Sequence, residues 1–220
     1  MGVGVKSLLV FGASSPTGQH IVEEALNNGW EVTIYGRRTL QKHSENSQIT
    51  TLEGTLQDES NIRHAIRNAT VIVSVIGPSG TTIKNTPFPG FYRRMFDIMR
   101  EEGVRRIIAL STFSVPHPND RFNFTCHMLV SMLRLFGHSA WRNLIDVAAT
   151  FDQHGSDLDW TLFRVGFLKD GGPGQVIQGY VGDGKLGMGV NRVDVAKWVV
   201  QQASMKDAEN LGDKPGISSA

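Results

Sequence analysis

The chain has 220 residues, of which 40% are hydrophobic and 20% charged, and its formal net charge is +1. This length fits one α/β domain that buries about 70% of its unfolded surface, with no second core required. The small net charge provides no broad basic field and argues against nucleic acid as the main partner.

The single cysteine, Cys126, excludes an internal disulfide and is typical of a reducing compartment. The first apolar segment, residues 3–11, is too short for a signal peptide or a membrane span. We therefore expect a cytoplasmic protein without a membrane partner.

The most informative segment is GASSPTG at residues 12–18, which follows a short apolar run at 8–11 and precedes a helical pattern of apolar residues. A strand, a glycine turn and a helix in this order bind a nucleotide pyrophosphate, because free backbone N–H groups at the helix N-terminus point at the anion. The first glycine suits the tight turn, either serine suits the helix cap, the proline suits the first helical position, and the last glycine lets the helix approach the sheet. The second serine replaces the usual middle glycine and adds a hydroxymethyl group near the phosphate. A glycine turn in an unrelated α/β protein is the alternative. The predicted pyrophosphate-binding residues are Gly12, Ser14, Ser15, Pro16, Thr17 and Gly18.

The end of the second predicted strand, residues 31–35, selects the type of dinucleotide. NAD sites place an Asp or Glu there to bind the ribose 2′-hydroxyl. This chain instead has Arg37 and Arg38, and two guanidiniums suit a 2′-phosphate because arginine forms charge-assisted hydrogen bonds with phosphate oxygens. A solvated basic turn is the alternative interpretation. The pattern favours NADP over NAD as the cofactor.

Apolar strands continue to alternate with amphipathic helices along the chain. This alternation predicts an α/β fold with a single Rossmann-type, doubly wound parallel sheet of order 3-2-1-4-5-6 and helices on both faces. We expect one domain over residues 1–206, with a small helical substrate lid at about 113–140, and a surface tail at 207–220 with a frayed end. The predicted strands are residues 8–11, 31–35, 49–53, 71–76, 106–110 and 160–165.

Further motifs accompany the glycine turn and the YGRR segment at 35–38. They are EGTLQD at 53–58, VIVSVIG at 71–77, LSTF at 110–113, LDWTLFRVGFL at 158–168 and RVDVA at 192–196. In this order they resemble the atypical short-chain dehydrogenases/reductases of the NmrA-like family, which includes reductases of the flavin and biliverdin reductase B type. The resemblance extends over nearly the whole chain and implies a Rossmann domain that binds NADP.

The resemblance also implies roles for individual positions. Leu56 would flank the adenine, and Ile76 and Gly77 would line the ribose on the nicotinamide side. Ser111 or Thr112 stands where the family places its active-site hydroxyl, although either side chain can equally satisfy backbone groups at a strand end. The stretch that would approach the nicotinamide amide has valine in place of the family's usual proline. Its residues are Val165, Gly166 and Phe167.

The chain lacks the Tyr-x-x-x-Lys pair with which ordinary short-chain dehydrogenases exchange a proton with a carbonyl. Its tyrosines are Tyr35, Tyr92 and Tyr180, and none is followed by a lysine four residues later. Hydride transfer itself needs only a well-placed nicotinamide. The sequence therefore favours an NADPH-dependent reductase of a small electron-poor acceptor such as a flavin, quinone, tetrapyrrole or conjugated enone. The proton would come from Thr112, a histidine or water.

Residues 113–138 are rich in aromatic and methionine side chains, which line apolar pockets but also fill ordinary helix cores. A pocket there would suit an apolar or aromatic small-molecule substrate. His127 is a candidate acid or base because its ordinary pKa lies near neutral, and a surface or capping role is the alternative. The seven histidines show no spacing that indicates a metal site.

Two other classes of function stay open. A cofactor-sensing regulator would bind NADP and turn nothing over. A redox-neutral isomerase or cyclase would use the nucleotide as a scaffold, with an acid such as Asp146, Asp152 or Asp170 and a histidine moving the proton.

Overall fold

A computed structural model describes residues 6–37, 46–77, 87–205 and 210–220. These residues form an eight-stranded sheet with helices on both faces and a separate pair of short strands. The strands are β1 (Ser7–Phe11), β2 (Glu31–Gly36), β3 (Ile49–Glu53), β4 (Val71–Ser74), β5 (Arg106–Thr112), β6 (Asp159–Val165), β7 (Phe167–Lys169), β8 (Val176–Gly179), β9 (Gly189–Asn191) and β10 (Gly216–Ser219). The helices are α1 (Pro16–Asn27), α2 (Glu59–Arg67), α3 (Pro87–Glu101), α4 (Phe124–Phe136), α5 (His138–His154) and α6 (Arg192–Ser204).

The strand order of the large sheet is β3-β2-β1-β4-β5-β6-β10-β8, and β1 to β6 run parallel. The predicted Rossmann-type order 3-2-1-4-5-6 is thus confirmed. From β1 the chain builds the sheet outward in one direction to β3 and then crosses over to β4 on the other side. In sheets of this kind a ligand binds at such a reversal, in the crevice outside the carboxyl ends of the strands.

The position of β1 inside the sheet explains why its sequence is continuously apolar. All five of its residues are buried, because helices cover the sheet on both sides. Leu8 and Val10 belong to the core beneath α1 and α6, whereas Leu9 and Phe11 belong to the core beneath α2, α3 and α5. The strand therefore holds the glycine turn that follows it on a support packed from two sides.

The C-terminal tail departs from the sequence-based expectation. Residues 216–219 do not form a frayed surface end but form β10, which pairs in parallel with β6 and antiparallel with β8. Ile217 and Ser218 are fully buried. Four residues with a single large apolar side chain show no periodic pattern, so pairing with β6 at Gly216 and with β8 along all four residues makes this segment a strand. The strands β7, β8 and β9 are also unpredicted, because runs of three or four residues are too short to show a periodic pattern.

We expect Ile217→Ala to lower the free energy of unfolding by about 2–5 kcal/mol, because it leaves a cavity in the core beneath α1 and α6. Urea denaturation measures the change. Leu211→Ala is the control, since Leu211 lies in the same tail but is 46% exposed, and its change should stay within about 0.5 kcal/mol. Equally small changes for both variants would mean that the tail does not belong to the folded core.

Candidate cofactor and active site

The turn after β1 has the geometry of a phosphate cradle. Gly12 has φ of +87°, a left-handed conformation that strains other residues. Ser15 is the N-cap of α1, and Pro16 occupies its first turn. The Ser15 hydroxyl accepts a hydrogen bond from the Gly18 N–H (3.0 Å) and donates one to the Gly12 carbonyl (2.8 Å). The Ser15 side chain therefore points back into the loop, and this explains how a serine fits where the middle glycine usually lies.

Close packing within the turn requires its last glycine. A Cβ atom on Gly18 would lie 2.3 Å from the Gly12 carbonyl oxygen, so no side chain fits there. Within the described part of the chain, the N–H groups of Ala13, Ser14 and Thr17 have no hydrogen-bond partner. Backbone donors left free at a helix N-terminus bind anions. The turn thus fits the pyrophosphate of a dinucleotide.

The end of β2 lies at the same carboxyl edge. Arg37 directly follows the strand and is exposed, while Arg38 lies outside the described residues. Within β2, the Tyr35 hydroxyl donates a hydrogen bond to the Thr55 carbonyl (2.9 Å), and burial raises the pKa of Tyr35 to about 12. This bond ties β2 to the segment that contains Leu56, whose side chain packs partly buried against the core.

A narrow cleft opens beside the ends of β4 and β5. The space in it that water can occupy is about 10 Å³ in all, which is room for about one water molecule. The cleft brings together Ile76, Gly77 and Ser111 of the predicted site and adds walls from α3 and α5. Its lining residues are Ile76, Gly77, Phe88, Tyr92, Leu110, Ser111, Asn143, Leu144 and Val147.

The two candidate hydroxyls of β5 have different surroundings. Side chains alternate along a strand, and Ser111 shares the side of Ala109, which faces the core beneath α3 and α5. Its Oγ is buried and has no hydrogen-bond partner among the described residues. Thr112 points to the opposite side and does not line the cleft, and its Oγ1 accepts a hydrogen bond from the Ser114 N–H (3.2 Å). The structure thus unites only Ser111 with Ile76 and Gly77.

Tyr92 forms a wall of the cleft that sequence reasoning did not assign. Its hydroxyl forms a hydrogen bond with the Ser74 Oγ (2.8 Å), and burial raises the pKa of the Tyr92 phenol well above its ordinary value. A tyrosine that is fully buried, hydrogen-bonded and hard to ionise contributes an aromatic surface rather than a proton-exchanging group.

The segment predicted to approach the nicotinamide lies beside the end of β5. Val165 pairs with Thr112 in register, and its carbonyl accepts a hydrogen bond from the Phe113 N–H (3.1 Å). Gly166 leads into β7, where the Phe167 N–H donates to the Met188 carbonyl (2.7 Å) and the Phe167 ring is half exposed. These three positions therefore share the carboxyl edge with the cradle and the cleft.

Next to this segment lies a fully buried arginine, which sequence reasoning quoted only as part of a motif. Arg164 has no exposed side-chain surface and forms a two-pronged ion pair with Asp120 (2.6 and 2.9 Å). Its guanidinium also donates to the carbonyls of Val115 (2.9 Å) and Lys214 (2.6 Å). Although partial burial opposes it, hydrogen bonding to Arg164 and to two backbone N–H groups lowers the pKa of Asp120.

The predicted lid region has an unexpected surface. His127 is exposed on α4, contacts the Phe122 ring and does not line the cleft, so the structure does not bring it to Ser111. Cys126 is buried, and that burial raises the pKa of its thiol. Several large apolar side chains of the region neither fill a core nor line the cleft. These exposed residues are Phe122, Phe124, Met128, Met132, Leu135 and Phe136.

The sequence matches the NAD(P)H-binding family over residues 12–206, which begins at the cradle and ends at α6. The chain belongs to this family. The NADP predicted from the sequence is one of the two cofactors that the family's description covers.

Solved structures share the fold over nearly the whole chain. A short-chain dehydrogenase/reductase from Veillonella parvula DSM 2008, in complex with NADP, superposes with a TM-score of 0.78 at 16% identity, covering 97% of this chain and 94% of that one. ChuY, an anaerobilin reductase from Escherichia coli O157:H7, gives 0.73 at 20% identity and 97% coverage of both chains. A Rossmann-fold NAD(P)-binding family protein from Shigella flexneri gives 0.72 at 15% identity, covering 98% and 94%.

No curated protein matches the sequence. Among the described residues, no helix has the length and apolar character needed to cross a membrane. The same residues contain no group of three or more His, Cys, Asp or Glu side chains that could hold a metal ion.

We expect Arg164→Met to lower the free energy of unfolding by about 3–5 kcal/mol, because it removes the guanidinium that pairs with the partly buried Asp120 carboxylate and donates to two carbonyls. The control is Arg142→Met, which breaks an exposed pair with Asp146 on α5 and should cost about 0–1 kcal/mol. Denaturation at neutral pH compares the two. A loss at Arg164 no larger than that at Arg142 would contradict a structural role for the buried pair.

Proposed function

We propose that the protein is an NADPH-dependent reductase that acts on a small conjugated acceptor such as a flavin, quinone or enone. One observation carries the proposal beyond cofactor binding. The Ser111 Oγ, buried and unpartnered among the described residues, lies in the same cleft as Ile76 and Gly77, the positions that the resemblance assigns to the nicotinamide side. In this proposal that hydroxyl forms a hydrogen bond with the bound acceptor.

The preference for NADP over NAD rests on charge at the end of β2. Arg37 is exposed at the carboxyl edge, and no acid stands where NAD sites bind the ribose 2′-hydroxyl. A guanidinium there attracts a 2′-phosphate and forms charge-assisted hydrogen bonds with it. Arg38 is proposed to assist.

The residues divide the work of the site. The cradle binds the pyrophosphate, Leu56 borders the adenine, and Val165 to Phe167 approach the nicotinamide amide. NADPH, when bound, supplies a hydride. Ser111 holds the heteroatom of the acceptor and, if the protein supplies the proton, releases it from Oγ. Thr112 and His127 remain weaker candidates for this role, because neither lines the cleft.

The proposal assigns the proton to none of the three tyrosines. The hydroxyls of Tyr35, Tyr92 and Tyr180 bond to the Thr55 carbonyl, Ser74 and Asp213 respectively. This arrangement agrees with the missing Tyr-x-x-x-Lys pair and supports an acceptor that is electron-poor enough to take a hydride without a strong acid.

The acids considered for a redox-neutral isomerase are engaged elsewhere. Each of the three carboxylates forms an ion pair with a nearby cation, and none lines the cleft. A carboxylate held by a cation is a poor base, so these contacts weigh against that alternative. The pairs are Asp146 with Arg142, Asp152 with Lys214 and Asp170 with Arg192.

We expect Arg37→Ala to weaken NADP binding by about ten- to a hundredfold, because a charged partner of the 2′-phosphate is lost. NAD binding should barely change. Titration calorimetry with both cofactors measures this, and Arg105→Ala, an exposed arginine at the opposite edge of the sheet, is the control. Equal weakening for both cofactors would show that Arg37 does not recognise the 2′-phosphate.

We expect Ser111→Ala to slow the single-turnover oxidation of bound NADPH by about 100-fold if Oγ takes part in proton transfer. Thr112→Val should slow it less than about tenfold, and Tyr92→Phe and Tyr180→Phe should leave it nearly intact. The assay follows nicotinamide absorbance with flavins, quinones and enones as acceptors. Absence of NADPH oxidation with every acceptor would contradict the reductase proposal and favour a cofactor sensor or a redox-neutral enzyme.

A further inference from the structure

One side of α4 is apolar and exposed. Phe124, Met128, Met132 and Leu135 follow one another at spacings of four and three residues, which places them on the same side of the helix. Their exposed fractions lie between 46% and 74%. Large apolar side chains gathered on one exposed side mark a surface that meets another protein or a membrane.

The other side of α4 attaches the helix to the carboxyl edge of the sheet. The buried residue of α4 is Cys126, which packs with Phe113 and Val181 in a small core of its own. Phe113 directly follows β5, the strand that carries Ser111. The apolar side of α4 is therefore held outward from the edge on which the candidate site lies.

Exposed phenylalanines extend the apolar side at both ends of the helix. Phe122, just before α4, is 76% exposed, and Phe136, its last residue, is 74% exposed. A helix with phenylalanine and leucine on one side and cationic residues beside them is typical of proteins that bind in the plane of a membrane surface. Such a helix does not need the length of a membrane-spanning one, so the absence of a signal or spanning segment does not bear on it.

The charges next to the apolar side are of one sign. In the whole chain Lys and Arg number 22 and Asp and Glu 21, yet residues 121–145 contain three arginines and no Asp or Glu. Arg134 lies on the flank of the apolar side and rests on the Trp141 ring at 5.1 Å, without a carboxylate partner among the described residues. The third arginine of the segment, Arg142, pairs with Asp146.

A second cationic group lies before the start of α4. Arg121 is exposed and lines an open depression together with Lys185. The two carboxylates of this depression are already engaged, Asp120 by Arg164 and Asp183 by the N–H groups of its own turn. Cations thus flank the apolar side near both of its ends, and their charge remains available to an anionic partner.

We propose that α4 docks the protein on an anionic lipid surface. The side chains of Phe124, Met128, Met132 and Leu135 insert among the lipid chains, while Arg121 and Arg134 reach the anionic head groups. Because α4 packs on the carboxyl edge, docking holds that edge close to the lipid. The inference goes beyond the proposed reductase function and does not depend on it.

Charge favours a lipid surface over a second copy of this chain. A symmetric pair brings the same residues together from both copies. Arginines beside the apolar side of one copy would then meet arginines of the other, with no acid in residues 121–145 to pair with them. Anionic head groups instead supply the opposite charge.

The test is flotation of the full chain with vesicles of equal parts phosphatidylcholine and phosphatidylserine. The protein should bind these vesicles, more weakly those of phosphatidylcholine alone, and less at high salt. Leu135→Ser should weaken binding to both kinds of vesicle by about tenfold, because it removes an inserted apolar side chain. Arg134→Gln should weaken binding to the anionic vesicles by about fivefold and leave binding to the neutral ones nearly unchanged.

Matched controls come from exposed residues outside α4. Leu211→Ser and Arg105→Gln replace the same residue types on other surfaces and should bind as the wild-type protein does. Failure of the wild-type protein to bind the anionic vesicles would overturn the inference, as would equal losses in Leu135→Ser and Leu211→Ser. So would a dimer in sedimentation equilibrium that Leu135→Ser dissociates, because the apolar side would then belong to a contact between copies. Vesicle binding without NADPH oxidation supports the docking surface and counts against the reductase alone.

Discussion

The buried guanidinium of Arg164 holds together the carboxyl edge on which the candidate site lies. From β6 it donates to Asp120, to the Val115 carbonyl after β5 and to the Lys214 carbonyl before β10. Asp120 extends the network by accepting from the Val181 N–H. An arginine buried in this way is satisfied only when all these segments are in place. Replacing such a pair by apolar residues often costs little, so we attribute to it the fixing of one arrangement rather than a large gain in stability.

The two halves of the site are built by different means. On the cofactor side the geometry belongs to the backbone: Gly12 turns the chain, the absence of a side chain on Gly18 brings helix and strand together, and the free N–H groups do not depend on side-chain identity. On the proposed acceptor side the geometry belongs to the side chains that line the cleft, Ser111 among them. Such a division lets a cofactor site persist while the chemistry beside it changes.

The polar groups of the cleft differ in how they are satisfied. The hydroxyls of Tyr92 and Ser74 form a hydrogen bond with each other, whereas Ser111 and Asn143 have no partner among the described residues. Away from the cleft, the Trp30 Nε1 and the Arg106 Nε and Nη2 are also buried without a partner among the described residues, so the proposed role of Ser111 rests on its position beside Ile76 and Gly77 and not on the missing partner alone. The exposed apolar residues of α4 are a second departure from an ordinary surface, and they lie in the segment expected to cover the substrate.

The sequence alone determined the parts of this protein whose causes are local. Periodic apolar runs predicted β1 to β6 and their order, and the turn at residues 12–18 predicted its own cap, helix start and close approach. Tertiary structure decided the rest, because it depends on groups far apart in the chain. Strand β10 forms by pairing with β6 and β8, which lie earlier in the chain, and Arg164 meets Asp120 across 44 residues. Which hydroxyl of β5 enters the cleft was likewise undecided until the pleat of the strand assigned Ser111 to one face and Thr112 to the other.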